Sequence, residues 1–178
     1  MKSAIIYGSR YGSARRYAEE FSERIGVPAY AFDEGPDLRD CEVLAFFGGM
    51  YAGGVLGLKQ TLRGLEGEMP RRLLIATVGL ADPREAENEK NLRTAVERQV
   101  PKALLPRTEV FHLRGGVDYA KLSLAHRGMM RLVYEKVRRM PEAERGAEDR
   151  AILDTYGKAV DMVDFAALED ICAALRRA

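Results

Sequence analysis

Between Ser3 and Leu113, short apolar runs alternate with stretches whose apolar residues recur at helical spacing. Residues 3–7 (SAIIY) form an apolar run closed by Gly8 and predict a buried strand. After a polar, glycine-containing turn, Tyr17, Ala18, Phe21 and Ile25 mark one face of a helix, with Glu19, Glu20, Glu23 and Arg24 opposite. Gly26 and Pro28 end it, as a C-cap glycine and a breaker should. Residues 27–32 (VPAYAF) predict a second strand, which Pro28 confines to an edge or to its own first turn. Residues 42–47 (EVLAFF) are apolar after the first position, so this strand needs cover on both faces, as in a parallel sheet. A glycine-rich loop over residues 48–54 follows, then a helix marked by Val55, Leu58, Leu62 and Leu65 and closed by Gly67 and Pro70.

Residues 72–78 (RLLIATV) predict the next strand, ending at Gly79. Asp82 and Pro83 open an acidic helix with Leu92, Ala95, Val96 and Val100 as its stripe, and residues 109–113 (EVFHL) form a fifth strand. Asp164 is a good N-cap for a last helix carrying Phe165, Leu168, Ile171, Cys172 and Leu175. Such alternation predicts a doubly wound α/β fold with a parallel sheet and right-handed crossovers. Residues 114–164 are too long for an ordinary connection of about 2–6 residues. Leu122, Ala125, Met129, Leu132, Val133, Val137 and Met140 give the segment a helical signal of its own. It reads as a helical insertion before the last helix of one domain spanning residues 1–178.

Composition narrows the classes. The 178 residues are 47% hydrophobic and 31% charged, enough for a full core. Lys plus Arg number 28 against 27 Asp plus Glu, so a net charge of +1 argues against nucleic acid as a partner. The insertion is locally basic, with eight Lys or Arg against four acids between Arg114 and Arg145. The longest uncharged run, residues 43–58, holds five glycines and falls short of the roughly 20 apolar residues of a membrane span. The opening MKSAIIYG is too short an apolar stretch for a signal peptide, and the expected location is cytoplasmic. Cys41 and Cys172 form no CxxC pair, and no metal cluster is legible.

Ligands of open α/β sheets bind beyond the carboxyl ends of the strands. Three turns leave such ends, at residues 8–14, 48–54 and 79–82. In the first, the backbone N–H groups of Ser9, Arg10, Tyr11, Gly12, Ser13 and Ala14 and a helix N-terminus would converge on one anion. The Ser9 and Ser13 hydroxyls would add donors, and Arg10, Arg15 or Arg16 positive potential; a plain turn without ligand is the competing reading. The turn lacks the lysine and hydroxyl of GxxxxGK[ST] and the third glycine of GxGxxG, and Phe47-Gly48 stands where a receiver domain needs aspartate. A terminal monophosphate such as that of FMN fits a loop without metal ligands. His112, inside an apolar strand, reads as a core or edge histidine, His126 as solvated, and Met129 and Met130 as packing. Arg127, Arg131 and Arg138 share one side of the inserted helix, as a solvated face or a docking surface.

Ser9-Arg10-Tyr11-Gly12-Ser13 after the first strand, Gly49-Met50-Tyr51-Ala52-Gly53 after the third and residues 113–119 (LRGGVDY) after the fifth resemble the flavodoxin family. The resemblance is stronger to the flavodoxin-domain subfamily that includes bacterial menaquinone-dependent protoporphyrinogen oxidase. It implies a flavodoxin-like five-stranded sheet of order 2-1-3-4-5 and an FMN cofactor. Ser9 to Ala14 would hold the phosphate, and Tyr51 would stack on the isoalloxazine. Gly49, Met50, Ala52 and Gly53 would contact the ring edge, Gly53 and Gly54 leaving a peptide free to turn its carbonyl toward the ring. Val78, Gly79, Leu80 and Asp82 would line the pyrimidine side, while Gly116, Asp118 and Tyr119 would touch the flavin or close the site. Flavodoxins usually carry Thr or Ser where this chain has Ala14, which implies weaker FMN binding by about one hydrogen bond, ~1 kcal/mol. The function implied is an FMN-dependent oxidoreductase passing electrons from an organic donor, protoporphyrinogen or a relative, to a quinone or similar acceptor. An acidic or porphyrin-type donor, or a membrane surface, would meet the basic insertion. An electron carrier, and a fold that has lost FMN, are the alternatives; carriers are commonly acidic, and this chain is not.

Overall fold

The computed structural model describes residues 2–65 and 69–177, so Gly67, expected to close the second helix, lies outside the described residues. Five parallel strands, β1 (Ser3–Gly8), β2 (Ala29–Ala31), β3 (Val43–Tyr51), β5 (Arg72–Gly79) and β6 (Thr108–Arg114), lie in the order β2-β1-β3-β5-β6. A two-residue strand, β4 (Gly54–Val55), pairs antiparallel with the end of β3. With β4 set aside, this is the expected 2-1-3-4-5 order of an α/β flavodoxin-like sheet. β2 is the short edge that Pro28 requires.

Helices cover both faces. α1 (Ser13–Ile25) and α6 (Leu168–Arg176) lie on one side, where Tyr17, Phe21, Leu168 and Ile171 pack on Ile5, Val43, Phe47 and Leu74. α2 (Leu58–Arg63) and α3 (Ala86–Glu97) lie on the other, where Leu58, Leu62 and Val96 meet Ile6, Leu44, Phe46 and Ile75. Consecutive strand residues such as Ile5 and Ile6 therefore serve opposite layers, each fully buried aliphatic side chain contributing about 1.5–3 kcal/mol. The Tyr17 hydroxyl donates to the Arg114 carbonyl at 2.8 Å and accepts the Asp164 N–H at 2.9 Å, so one buried side chain locks α1 to the end of β6 and to the entry of α6.

Several boundaries differ from the sequence reading. β3 runs through the glycines to Tyr51, and Val55 belongs to β4 rather than to a helix. α3 begins four residues after Asp82, whose backbone carbonyl accepts the Asn88 side-chain amide at 2.9 Å; the intervening turn is held by Asp82 and Arg84. Asp164 caps a 3-10 turn, Phe165–Ala167, that leads into α6. The insertion is more than one helix. It contains β7 (Gly116–Asp118), α4 (Leu124–Arg139), α5 (Ala147–Thr155) and β8 (Ala159–Asp161), with β7 and β8 forming an antiparallel pair. Val117, Tyr119 and Leu122 give it a small core against Leu80, Met130, Tyr156 and Val160. On α4 only Val137 is fully buried; Leu132, expected on the apolar face, is 75% exposed, and Leu124 is 84% exposed. Among the described residues no helix is long and apolar enough to cross a membrane.

Candidate functional site

The turn after β1 leaves a helix N-terminus whose first N–H groups meet no acceptor among the described residues. Gly12, the N-cap of α1, has φ of 93°, a left-handed backbone that glycine adopts without steric cost. No side chain caps the helix, and the N–H groups of Ser13, Ala14 and Arg15 take no acceptor within the described residues. A helix end leaves such donors orphaned unless caps, water or a ligand meet them, and its dipole favours an anion there. Ser9 Oγ accepts the Gly12 N–H at 3.1 Å and Ser13 Oγ accepts the Gly116 N–H at 2.9 Å. Both hydroxyls are thus oriented by backbone donors, and each keeps its own proton to donate.

The second turn is a hairpin rather than an open loop. Tyr51 pairs with Gly54 across a two-residue turn in which Ala52 and Gly53 have φ of 50° and 77°. A left-handed alanine costs about 1–2 kcal/mol, and the hairpin holds it by clamping β4 from the other side. Gln99 does this, accepting the Val55 N–H at 2.7 Å and donating to the Val55 carbonyl at 3.2 Å. Tyr51 is thereby fixed on a strand end. Its hydroxyl reaches Met129 Sδ on α4 at 3.7 Å, and the Arg10 guanidinium lies 5.2 Å from its ring centroid.

Both turns and the end of β5 open on one cavity of about 340 Å³, within the roughly 300–1,000 Å³ of small-molecule and cofactor sites. Of the residues singled out in the sequence, Ser9, Arg10, Tyr11, Ser13, Ala14, Gly49, Met50, Tyr51, Ala52, Gly53, Val78, Gly79, Leu80 and Gly116 line it. Gly12 is the turn residue between two of them. Asp82, Asp118 and Tyr119 do not line the cavity. Arg84 bonds the Asp82 carboxylate, and that pairing, ahead of its backbone hydrogen bond, holds the group down at about 2. Asp118 caps the following turn through the Ala120 N–H and pairs with Lys121. Tyr119 packs on Tyr156, its hydroxyl buried with no hydrogen-bond partner among the described residues, and burial pushes it up to about 12.

Arg15 and Arg16 are ion-paired with Glu19 and Asp161, which leaves Arg10 as the arginine of that turn that lines the cavity. Burial, then the neighbouring Tyr51, raises the Tyr11 hydroxyl. His112 is half-satisfied. Its Nδ1 shares a 2.7 Å hydrogen bond with Thr77 Oγ1, its Nε2 is buried with no partner among the described residues, and burial lowers its pKa. His126 bonds Ser123 and meets the Tyr11 ring edge-on at 6.2 Å.

The sequence reading missed the outer wall. Met129, Met130 and Val133 of α4 and Glu148 and Ile152 of α5 close the cavity from the insertion, with Asn88 and Leu92 of α3 beside them. Arg127, Arg131 and Arg138, read from the sequence as a solvated face or a docking surface, lie exposed, and α4 turns Met129, Met130 and Val133 toward the cavity. Helical spacing of Met129, Met130 and Val133 was the available signal, and it reads equally as core. No group of three or more potential metal ligands occurs among the described residues.

The fold is similar to that of a flavoprotein from Lactobacillus acidophilus NCFM in complex with FMN, at 11% identity and a TM-score of 0.45, over 64% of this chain and 91% of that one. It is similar to the Trp repressor binding protein from Bacillus subtilis, at 18% identity and a TM-score of 0.43, over 64% of this chain and 83% of that one. It is also similar to a cysteine-to-serine mutant of flavodoxin from Pseudomonas aeruginosa, at 19% identity and a TM-score of 0.41, over 76% of this chain and 96% of that one. No curated protein matches the chain by sequence. Residues 4–143 match the flavodoxin domain, a span that takes in all three strand-end turns and α4, and the chain belongs to the flavodoxin-domain family.

Proposed function

We propose that the chain binds FMN across the ends of β1, β3 and β5 and works as an oxidoreductase between an organic two-electron donor and a quinone or similar acceptor. The observation that carries this reading is the uncapped N-terminus of α1, whose orphan N–H groups open on the same cavity as Tyr51 and the end of β5. A monophosphate would take the first-turn N–H groups, the Ser9 and Ser13 hydroxyls and Arg10. Charge-assisted hydrogen bonds of this kind are about twice as strong as neutral ones. Ala14 offers no hydroxyl, so the Ser13 proton and Arg10 carry more of the anchoring.

Tyr51 would border the isoalloxazine. Arg10 already lies over the Tyr51 ring, so phosphate binding would draw the guanidinium from that aromatic face. The turn at Ala52 and Gly53 leaves a peptide at the ring edge with glycine on one side, as a carbonyl facing a protonated ring nitrogen requires. When bound, the flavin supplies two-electron chemistry, and the protein supplies position and electrostatics. The insertion favours an enzyme over a bare carrier, because Met129, Met130 and Ile152 add an apolar wall to the cavity beyond the strand ends. The subfamily resemblance adds protoporphyrinogen or a related reduced tetrapyrrole as donor; the basic outer side of α4 would meet an acidic partner.

Anaerobic oxidation of protoporphyrinogen with menadione, by protein reconstituted with FMN, tests the reading. Turnover supports it. Reduction obtained only through a partner reductase identifies an electron carrier, and protein that stays colourless after incubation with FMN ends the flavin reading.

A further inference from the structure

The two most exposed large apolar side chains among the described residues stand on one helix. Leu124 is 84% exposed and Leu132 is 75% exposed, both on α4. They lie two turns and about 12 Å apart along the axis, so they share the outer side of the helix. Gly128 sits between them, and a side chain built there would meet no protein atom within 4 Å. The opposite side of α4 is already used, since Met129, Met130 and Val133 line the cavity and Val137 is buried. Around the leucines the charge is of one sign. α4 carries Arg127, Arg131, Lys136, Arg138 and Arg139, all exposed, against a single acid, Glu135. Glu135 pairs with Arg138 at 2.9 Å and lies 3.9 Å from Arg139, while Arg127 donates to the Ala120 carbonyl. Arg131 and Lys136 make no ion pair among the described residues. The whole chain has a net charge of only +1, so this excess is local.

Single exposed leucines are ordinary on protein surfaces, but two on one helix face among arginines and lysines fit a helix lying on an anionic membrane. A helix seated in a protein groove presents apolar anchors at i, i+3 or i+4, and i+7. Between its leucines α4 offers Gly128 and Arg131 instead, so the face has no continuous stripe for a groove. A bilayer needs none, because each leucine enters the headgroup layer singly while arginine and lysine stems lie along the acyl boundary and keep their charges among the phosphates. We propose that α4 docks the chain on an anionic lipid bilayer, with Leu124 and Leu132 entering the headgroup layer and Arg127, Arg131, Lys136 and Arg139 meeting the lipid phosphates. The acidic partner of this face is then a lipid surface, and the inner side of the docked helix is the apolar wall of the cavity. The docking needs no bound flavin, so its failure leaves the FMN reading untouched.

The chain contains no tryptophan, so Leu132→Trp places a single reporter on this face and Tyr30→Trp places a control on β2, the edge strand farthest from β6. The full chain is mixed with vesicles of phosphatidylcholine alone, or of phosphatidylcholine and phosphatidylglycerol in equal parts, and binding is read by co-sedimentation and by tryptophan emission. With phosphatidylglycerol present, the Leu132→Trp emission should shift to shorter wavelength and the Tyr30→Trp emission should not. Wild-type binding should weaken with added salt. Arg131→Gln combined with Lys136→Gln should weaken it about fivefold for each charge removed. Leu124→Ser combined with Leu132→Ser should weaken it at least about tenfold, with unchanged circular dichroism because neither leucine is in the core. Absence of wild-type binding to the anionic vesicles overturns the proposal, as does equal binding to both vesicle types or an equal shift at Tyr30→Trp. Polyglutamate that shifts the Leu132→Trp emission where the vesicles do not also overturns it, by making the face a site for an acidic protein.

Discussion

Ser13, the first residue of α1, accepts the backbone N–H of Gly116 on its hydroxyl at 2.9 Å, across 103 positions of sequence. This bond joins the proposed phosphate turn to β7, the first strand of the insertion. Ser13→Ala leaves a partly buried N–H without an acceptor, at about 1–3 kcal/mol. The variant should unfold at lower urea concentration by that amount and bind FMN more weakly. Unchanged urea midpoints would mean that solvent satisfies Gly116.

Gly12 carries the left-handed backbone that turns the chain into α1, and a side chain there would meet no protein atom within 4 Å. The structural cost of Gly12→Val is therefore backbone strain, about 1–2 kcal/mol. Its effect on the ligand should be larger, because the valine projects into the space through which a phosphate approaches. FMN titration of the folded variant should show binding abolished, whereas near-wild-type affinity would place the phosphate elsewhere.

The strands were legible because each is an apolar run bounded by glycine, proline or charge, as residues 43–47 show. The hairpin after them was not. Gly48, Gly49, Gly53 and Gly54 read as loop, and nothing in an alanine announces the left-handed φ of Ala52. The turn before α1 was legible as a strand-to-helix connection because Gly8 closes the apolar run and Gly12 stands just ahead of the helical periodicity. The outer wall was hidden for two reasons. β7 and β8 are three residues each, too short for a period, and Glu148 in the first turn of α5 reads as an ordinary complement to the helix dipole. Leu132 shows the converse failure, a residue with the right spacing on a helix whose neighbours cover only one side.

His112 gives a pH dependence whose sign follows from burial. Its pKa is lowered below the ordinary 6.5, so below about that pH the unfolded chain binds a proton that the folded chain does not. Its contribution to stability is intact above that value and is lost as the pH falls toward the folded pKa, by no more than ~1.4 kcal/mol per pH unit for one proton. Urea unfolding on either side of about pH 6.5 should show a steeper loss in the wild type than in His112→Gln. Identical slopes would show that the imidazole takes up its proton without leaving the bond to Thr77.

The central claim is that the N-terminus of α1 holds a phosphate, and riboflavin is FMN without that group. Equilibrium titrations of the protein with the two flavins, followed by flavin fluorescence, isolate that contribution. With at least two charged hydrogen bonds of about 1.5–3 kcal/mol each, FMN should bind roughly 10²–10⁴-fold more tightly than riboflavin. Equal affinities, or no binding of either flavin, would contradict the account.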